Sequence, residues 1–155
     1  MTRKEGLFLV THADADSVTL RDVVDSQVLT LSANPGLEVG SVIEATLEAE
    51  PPMEVTWRPV SIEERRRVTV ERTAEPPTRQ AREIAADAET GGVTVRERAG
   101  NGEIHVLRVP PDRTEGAASD VIEDEATLVR AARMDEVSRV EVRSADGVVS
   151  VRYLP

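Results

Sequence analysis

Through the first half of the chain apolar and polar residues alternate with a period of two, and nowhere in that half do apolar residues recur at helical spacing. The alternation predicts five strands: Leu7–Thr11, Ser17–Asp22, Gln27–Leu31, Ser41–Leu47 and an irregular stretch Met53–Val70. Asp14-Ala15-Asp16-Ser17, Asp25-Ser26 and Asn34-Pro35-Gly36 stand between them, with the short polar side chains and glycine that tight turns use. Leu37 to Ala45 reads as a leucine, a turn at Gly40 and an alternating strand, a common entry to the fourth strand of a small barrel. Open edges in so small a sheet invite aggregation, and closure removes most of them. The expected first domain, residues 1–75, is therefore a small β-barrel, OB-like or SH3-like.

Ala74-Glu75-Pro76-Pro77 ends the ladder, because proline donates no backbone hydrogen bond. Thr78 then stands at an N-cap, and Ala81, Ile84, Ala85 and Ala88 share one face of a helix over Arg79–Glu89 that Gly91-Gly92 terminates. Hairpins are predicted at Asn101-Gly102, joining 93–98 to 103–109, and at Asp146-Gly147, joining 137–143 to 148–154. Between them, Asp112 with Glu115 resembles a capping box, and the stretch to Met134 reads as two short helices parted near Glu123-Asp124-Glu125. The second domain, residues 76–155, thus reads helix, hairpin, helix pair, hairpin. The expected class is α+β, the barrel being followed by an antiparallel four-stranded sheet with helices on one face.

Composition changes the picture in one respect. Asp and Glu number 29 against 19 basic residues, of which Lys4 alone is lysine, and the formal charge is −10. A carboxylate-dense surface that keeps arginine for pairing and nearly eliminates lysine fits a protein that stays hydrated in a cytoplasm of molar salt. The acidity then argues neither for a cationic partner nor against nucleic acid. Phe8, Trp57 and Tyr153 are the only aromatic residues besides the two histidines, so the core must be aliphatic. With no cysteine, disulfides, thiolate nucleophiles and cysteine-ligated metals are excluded. The apolar run Leu7-Phe8-Leu9-Val10 is too short for a signal-peptide core or a membrane span, and a cytoplasmic location without membrane contact is expected.

The stretches Gly6 to Asp14, Pro51 to Val55, Pro77 to Ala85 and Asp146 to Pro155 resemble a family of small acidic proteins from halophilic archaea, carried as a domain of unknown function. The resemblance extends over nearly the whole chain. It implies the habitat and transfers no catalytic, cofactor or metal residues to any position.

The residues themselves argue against catalysis. There is no Gly-x-Ser-x-Gly, no Ser-x-x-Lys, no Gly-x-Gly-x-x-Gly and no Walker pattern, and the only histidines, His12 and His105, fall in different halves. His12-Ala13-Asp14-Ala15-Asp16 imitates a ligand cluster, but Val18 and Thr19 stand where a calcium loop needs a ligand and a glycine, so turn stabilisation is the better account. No cofactor and no metal site is expected. Positive charge concentrates at Arg58, Arg65, Arg66 and Arg67, followed by Arg79 and Arg82. Strand alternation points Arg65 and Arg67 one way and Arg66 the other. In the terminal sheet it places Arg139, Glu141 and Arg143 together, which reads as a face laced with arginine–carboxylate pairs. These observations favour a binding or adaptor module with a protein partner. The alternative is RNA or single-stranded DNA held by those arginines and an exposed Trp57, and a second alternative is an enzyme built on histidine and carboxylates.

Overall fold

The computed structural model describes residues 2–98 and 102–155. It is mixed α+β and divides into two compact units. The first runs to Val68 and also takes in Leu128–Arg133; the second is Thr69–Thr127 with Met134–Pro155.

In the first unit, strands β1 (Arg3–Ala13), β2 (Val18–Asp22), β3 (Val28–Leu31), β4 (Ser41–Ala49) and β5 (Trp57–Arg67) close into a ring in the order β1-β2-β3-β5-β4, with β4 returning to β1. All neighbours are antiparallel except β3 and β5, which run parallel and meet only at Leu31 and Trp57. Alternation drives the closure. Phe8, Val10, Leu20, Leu29, Leu31, Ile43 and Leu47 point inward and form one buried cluster, as expected for period-two strands with an aliphatic filling. Leu9 and Val42, paired across β1 and β4 on the outer face, are buried as well. On that side Arg66 Nη2 donates to the Ala132 carbonyl (2.8 Å) and Arg133 Nε to the Val23 carbonyl (2.5 Å). Asn34 organises the loop after β3: its Oδ1 accepts from Gly36 and Leu37, and its Nδ2 donates to the Asp14 and Leu37 carbonyls.

The chain leaves the ring earlier than proline placement implied. Val68 donates to the Gly40 carbonyl, and the next four residues, β6 (Thr69–Arg72), already pair with the second sheet. The division therefore falls between Val68 and Thr69 rather than near residue 75.

The second unit contains α1 (Arg79–Ala86), β7 (Val93–Glu97), β8 (Glu103–Arg108), α2 (Thr114–Glu123), the start of α3 (Glu125–Arg133), β9 (Arg139–Ala145) and β10 (Val148–Leu154). Its sheet has five strands, not four, in the order β6-β9-β10-β8-β7; β6 adds a parallel edge that the sequence had offered to the barrel. Thr78 caps α1 by accepting from the Ala81 N–H (3.2 Å), and Arg108 Nη1 closes its other end on the Ala88 carbonyl (2.5 Å). Ala81 and Ala85 bury against Ile104 and Val106.

Helices lie on both faces, which corrects the expectation of one. The register places Ile104, Val106 and Val148 under α1, whereas Arg72 and Ser144 belong to the opposite face, where Arg72 Nη2 reaches Glu115 of α2 (2.6 Å) and Ser144 (3.0 Å). A sheet whose two faces both carry valines needs two covers. The break between α2 and α3 falls at Asp124, in extended backbone, as read from the sequence. The Asp112 capping box does not form; Thr114 instead donates to the Pro111 carbonyl and accepts from the Gly147 N–H. The Asp146-Gly147 turn has both residues at positive φ, the mirror-image type that hairpins favour. Asn101 of the other predicted turn lies outside the described residues. Among the described residues no helix is long and apolar enough to cross a membrane.

Gly36 and Gly40 separate two costs of a side chain at positive φ. Gly36 (φ 94°) has open space around it, while a Cβ on Gly40 (φ 90°) would land on the Val68 carbonyl oxygen. Gly36→Ala is expected to cost about 1 kcal/mol and Gly40→Ala about 3 kcal/mol or more, measured by denaturant unfolding in high salt. Equal losses would contradict the packing described at the ring exit.

Candidate functional site

Two loops of the first unit display apolar side chains to solvent. Val24 (81% exposed) and Val28 (61%) stand at the β2–β3 turn, and Met53 (75%) and Val55 (69%) in the β4–β5 loop. The parallel contact of Leu31 with Trp57 places the segments preceding each at the same end of the ring. Both also touch the start of β1: Thr2 accepts from the Ala49 N–H and donates to Glu54, while Lys4 binds Asp25 and Gln27.

Hydrogen bonds hold both loops, and in the first the buried Val23 adds an apolar anchor. The buried Asp22 carboxylate accepts the Val24 N–H (2.8 Å) and the Asp25 N–H (3.1 Å), and Lys4 Nζ lies 3.4 Å from it and 2.6 Å from Asp25. Gly6 leaves the room this carboxylate needs, since a Cβ there would sit 3.0 Å from Asp22 Oδ2. Across the ring end, Glu50 N–H donates to the Thr56 carbonyl (2.8 Å), Glu54 N–H to the Glu50 carbonyl (2.9 Å), and Ser32 Oγ to the Glu50 carboxylate. Hydrogen bonds, with the buried Val23, thus fix two loops on which Val24, Val28, Met53 and Val55 face solvent.

Burial acts to lower the Lys4 pKa, but Asp25 and Asp22 outweigh it and the net shift is upward. The Lys4 hydrogen bond, with that from the Gln27 N–H, holds Asp25 below the ordinary carboxylate range. Beside them Arg3, Glu48 and Arg58 form a row across β1, β4 and β5: Arg58 Nη2 lies 2.6 Å and Arg3 Nε 3.0 Å from the buried Glu48 carboxylate, and those bonds lower its pKa.

The arginines singled out in the sequence do not gather into one patch. Arg58 is bound to Glu48, Arg66 lies on the outer face with Ala132, Arg67 pairs with Glu38 (2.9 Å), and Arg65 is exposed on the other side of the strand from Arg66. Trp57 is half-buried and packs on the ring core. Arg79 and Arg82 belong to the second unit, where Arg79 pairs with Glu83 (3.0 Å) and Arg82 borders a groove of about 410 Å³. On the second sheet Arg143 and Arg152 both bind the buried Glu141 (2.7 and 3.0 Å); burial acts to raise its pKa, and the two guanidinium groups outweigh it to give a net lowering.

His12 is exposed beside Thr11 in the first unit. His105 lies in the second, against the Tyr153 ring (centroids 5.0 Å) and Glu103 (3.2 Å). Among the described residues no three potential metal-ligating side chains come together. Sequence reasoning missed the apolar loops because it gave Met53 and Val55 to a strand. The available signal was Val23-Val24, an apolar pair set between Asp22 and Asp25.

The molecule is thus an acidic two-unit α+β protein, a closed five-stranded ring joined to a five-stranded mixed sheet. The chain belongs to DUF5812, a family of unknown function, whose model matches residues 4–144. No curated protein and no solved structure matches it.

The depressed carboxylates set a direction for pH dependence. Glu48 has a lowered folded-state pKa, so its contribution is complete above the unfolded carboxylate range and is lost as pH falls through the folded value. Glu48→Gln is therefore expected to lower stability at neutral pH, with the gap to wild type closing toward about pH 3. Denaturant unfolding at the two pH values checks this, and a gap unchanged by pH would contradict it.

Proposed function

We propose that the chain is a non-catalytic binding module that captures an apolar segment of a partner protein at the ring end formed by the β2–β3 turn and the β4–β5 loop. The observation that carries the reading is Val24, Val28, Met53 and Val55, exposed on loops that internal hydrogen bonds hold in place. Exposed apolar side chains on a hydrogen-bonded, otherwise charged scaffold support a partner site.

The strand order β1-β2-β3-β5-β4, with β3 parallel to β5, supports an OB-like barrel over an SH3-like one. In such barrels the β2–β3 face and the β1–β2 and β4–β5 loops take the ligand. Here the β4–β5 loop carries Met53 and Val55 and β3 carries Val28, which supports part of the same surface by a second route. An oligonucleotide is the poorer fit. Asp14 and Asp16 occupy the β1–β2 loop, Glu50 and Glu54 the β4–β5 loop, and the aromatic platform that single strands stack on is absent, with Trp57 turned to the core.

The arginine-rich, lysine-poor and carboxylate-dense composition supports work in a cytoplasm of molar salt. There charge attraction is screened within about 3 Å at 1 M ionic strength, whereas apolar burial keeps its strength. An apolar contact is the interaction such a solvent leaves most effective.

The test is affinity purification of the tagged full chain from a halophilic host in molar KCl, with nuclease present. A stoichiometric protein is expected on the wild type, and Met53→Asp or Val55→Asp is expected to weaken its capture by about tenfold or more, the loss typical of an anchoring side chain. Recovery of RNA or DNA that disappears on substitution of Arg65, Arg66 and Arg67, with no protein dependent on Met53 or Val55, would overturn the reading.

A further inference from the structure

We propose that β7 is a homodimer edge, on which a second copy of the chain adds its own β7 antiparallel to extend the second sheet across a two-fold axis at Val95. This interface is distinct from the loops of the first unit and does not rest on the reading given for them.

β7 is the last strand of its sheet, so one side of its backbone has no ladder partner among the described residues. The hydrogen bonds around it fix which residues face that side. Arg108 donates to the Gly92 carbonyl and Arg98 to the Gly102 carbonyl, so the even-numbered residues bond toward β8. Val93, Val95 and Glu97 consequently direct their N–H and C=O groups outward. Consistent with this, the Val95 carbonyl accepts from the side chain of Arg96 (Nη1, 3.1 Å) and not from a strand. Val93 and Val95 are 59% and 44% exposed, on the face opposite α1.

An outermost strand with outward ladder groups and two bare valines is the kind of edge that folded proteins usually protect. What selects a second copy is the strand's own arrangement. With the axis at Val95, Val95 meets Val95, Val93 meets Glu97 and Thr94 meets Arg96 of the second copy, so each charged end lies against the other's uncharged end. Every outward group from Val93 to Glu97 finds a partner, and no like charges stand opposite each other. Such an isologous contact closes on itself at β7, with the β6 edges at the two far ends of the extended sheet. The charge of −10 on each copy opposes association at low ionic strength and is screened in molar salt.

Sedimentation equilibrium of the full chain in KCl tests this. The wild type is expected to be a dimer in molar KCl, with the dimer fraction falling as salt is lowered within the folded range, and Val95→Lys is expected to be monomeric with unchanged circular dichroism. Because the chain has no cysteine, Val95→Cys offers a second readout. Mild oxidation should link two copies through this residue, while Val24→Cys, more exposed and on the other unit, should not link. A wild type monomeric at every salt concentration, a Val95→Lys dimer as stable as wild type, or equal linking of the two cysteine variants would overturn the proposal.

Discussion

The first unit depends on one closure. Its filling is aliphatic around the single Phe8, and the strands enclose it on all sides. The ring achieves this, but between β3 and β5 it does so through the single parallel contact of Leu31 with Trp57, supported by the Ser32 N–H on the Trp57 carbonyl (3.3 Å). Trp57, the largest side chain available, stands at this weakest joint and packs on the cluster around Leu31. Its side chain is thus engaged in closing the ring and only partly exposed.

Closure also decides where the loops emerge. Because β3 and β5 run parallel, the segments that lead into them emerge at one end, and the chain fixes both with local hydrogen bonds, helped in the first by the buried Val23. Asp22 illustrates the economy of the design. A buried carboxylate with two backbone donors and Lys4 beside it holds a turn whose Val24 then faces water. The lone lysine of the chain is thus spent on a structural contact. The arginines follow the same logic: Arg3 and Arg58 on Glu48, Arg143 and Arg152 on Glu141, Arg108 on the end of α1. Arginine's fork suits such shared carboxylate and carbonyl sites better than lysine's point charge.

Much of this was legible in the residues. Period-two alternation located the ring strands within a few positions, Thr78 and Gly91 bracketed α1, and Asp146-Gly147 set a hairpin exactly where positive φ is required. What escaped has physical causes. Thr69–Arg72 alternates like any strand, and nothing local distinguishes a fifth barrel strand that ends at Arg67 from a new strand that pairs in parallel with a segment some seventy residues later. The helix faces could not be assigned because the second sheet carries valines on both sides. The apolar loops were hidden by their composition: Met53 and Val55 continue the alternation of β5, and only the burial pattern shows that they lie outside it.

The central claim, that the apolar ring end is the working surface of this protein, is tested most directly by hydrogen–deuterium exchange on the chain with and without its copurified partner. The account predicts that protection rises at Val23–Val28 and Glu50–Thr56 and stays unchanged along Arg65–Arg67. Protection gained at Arg65–Arg67, with both loops exchanging as in the free chain, would contradict it.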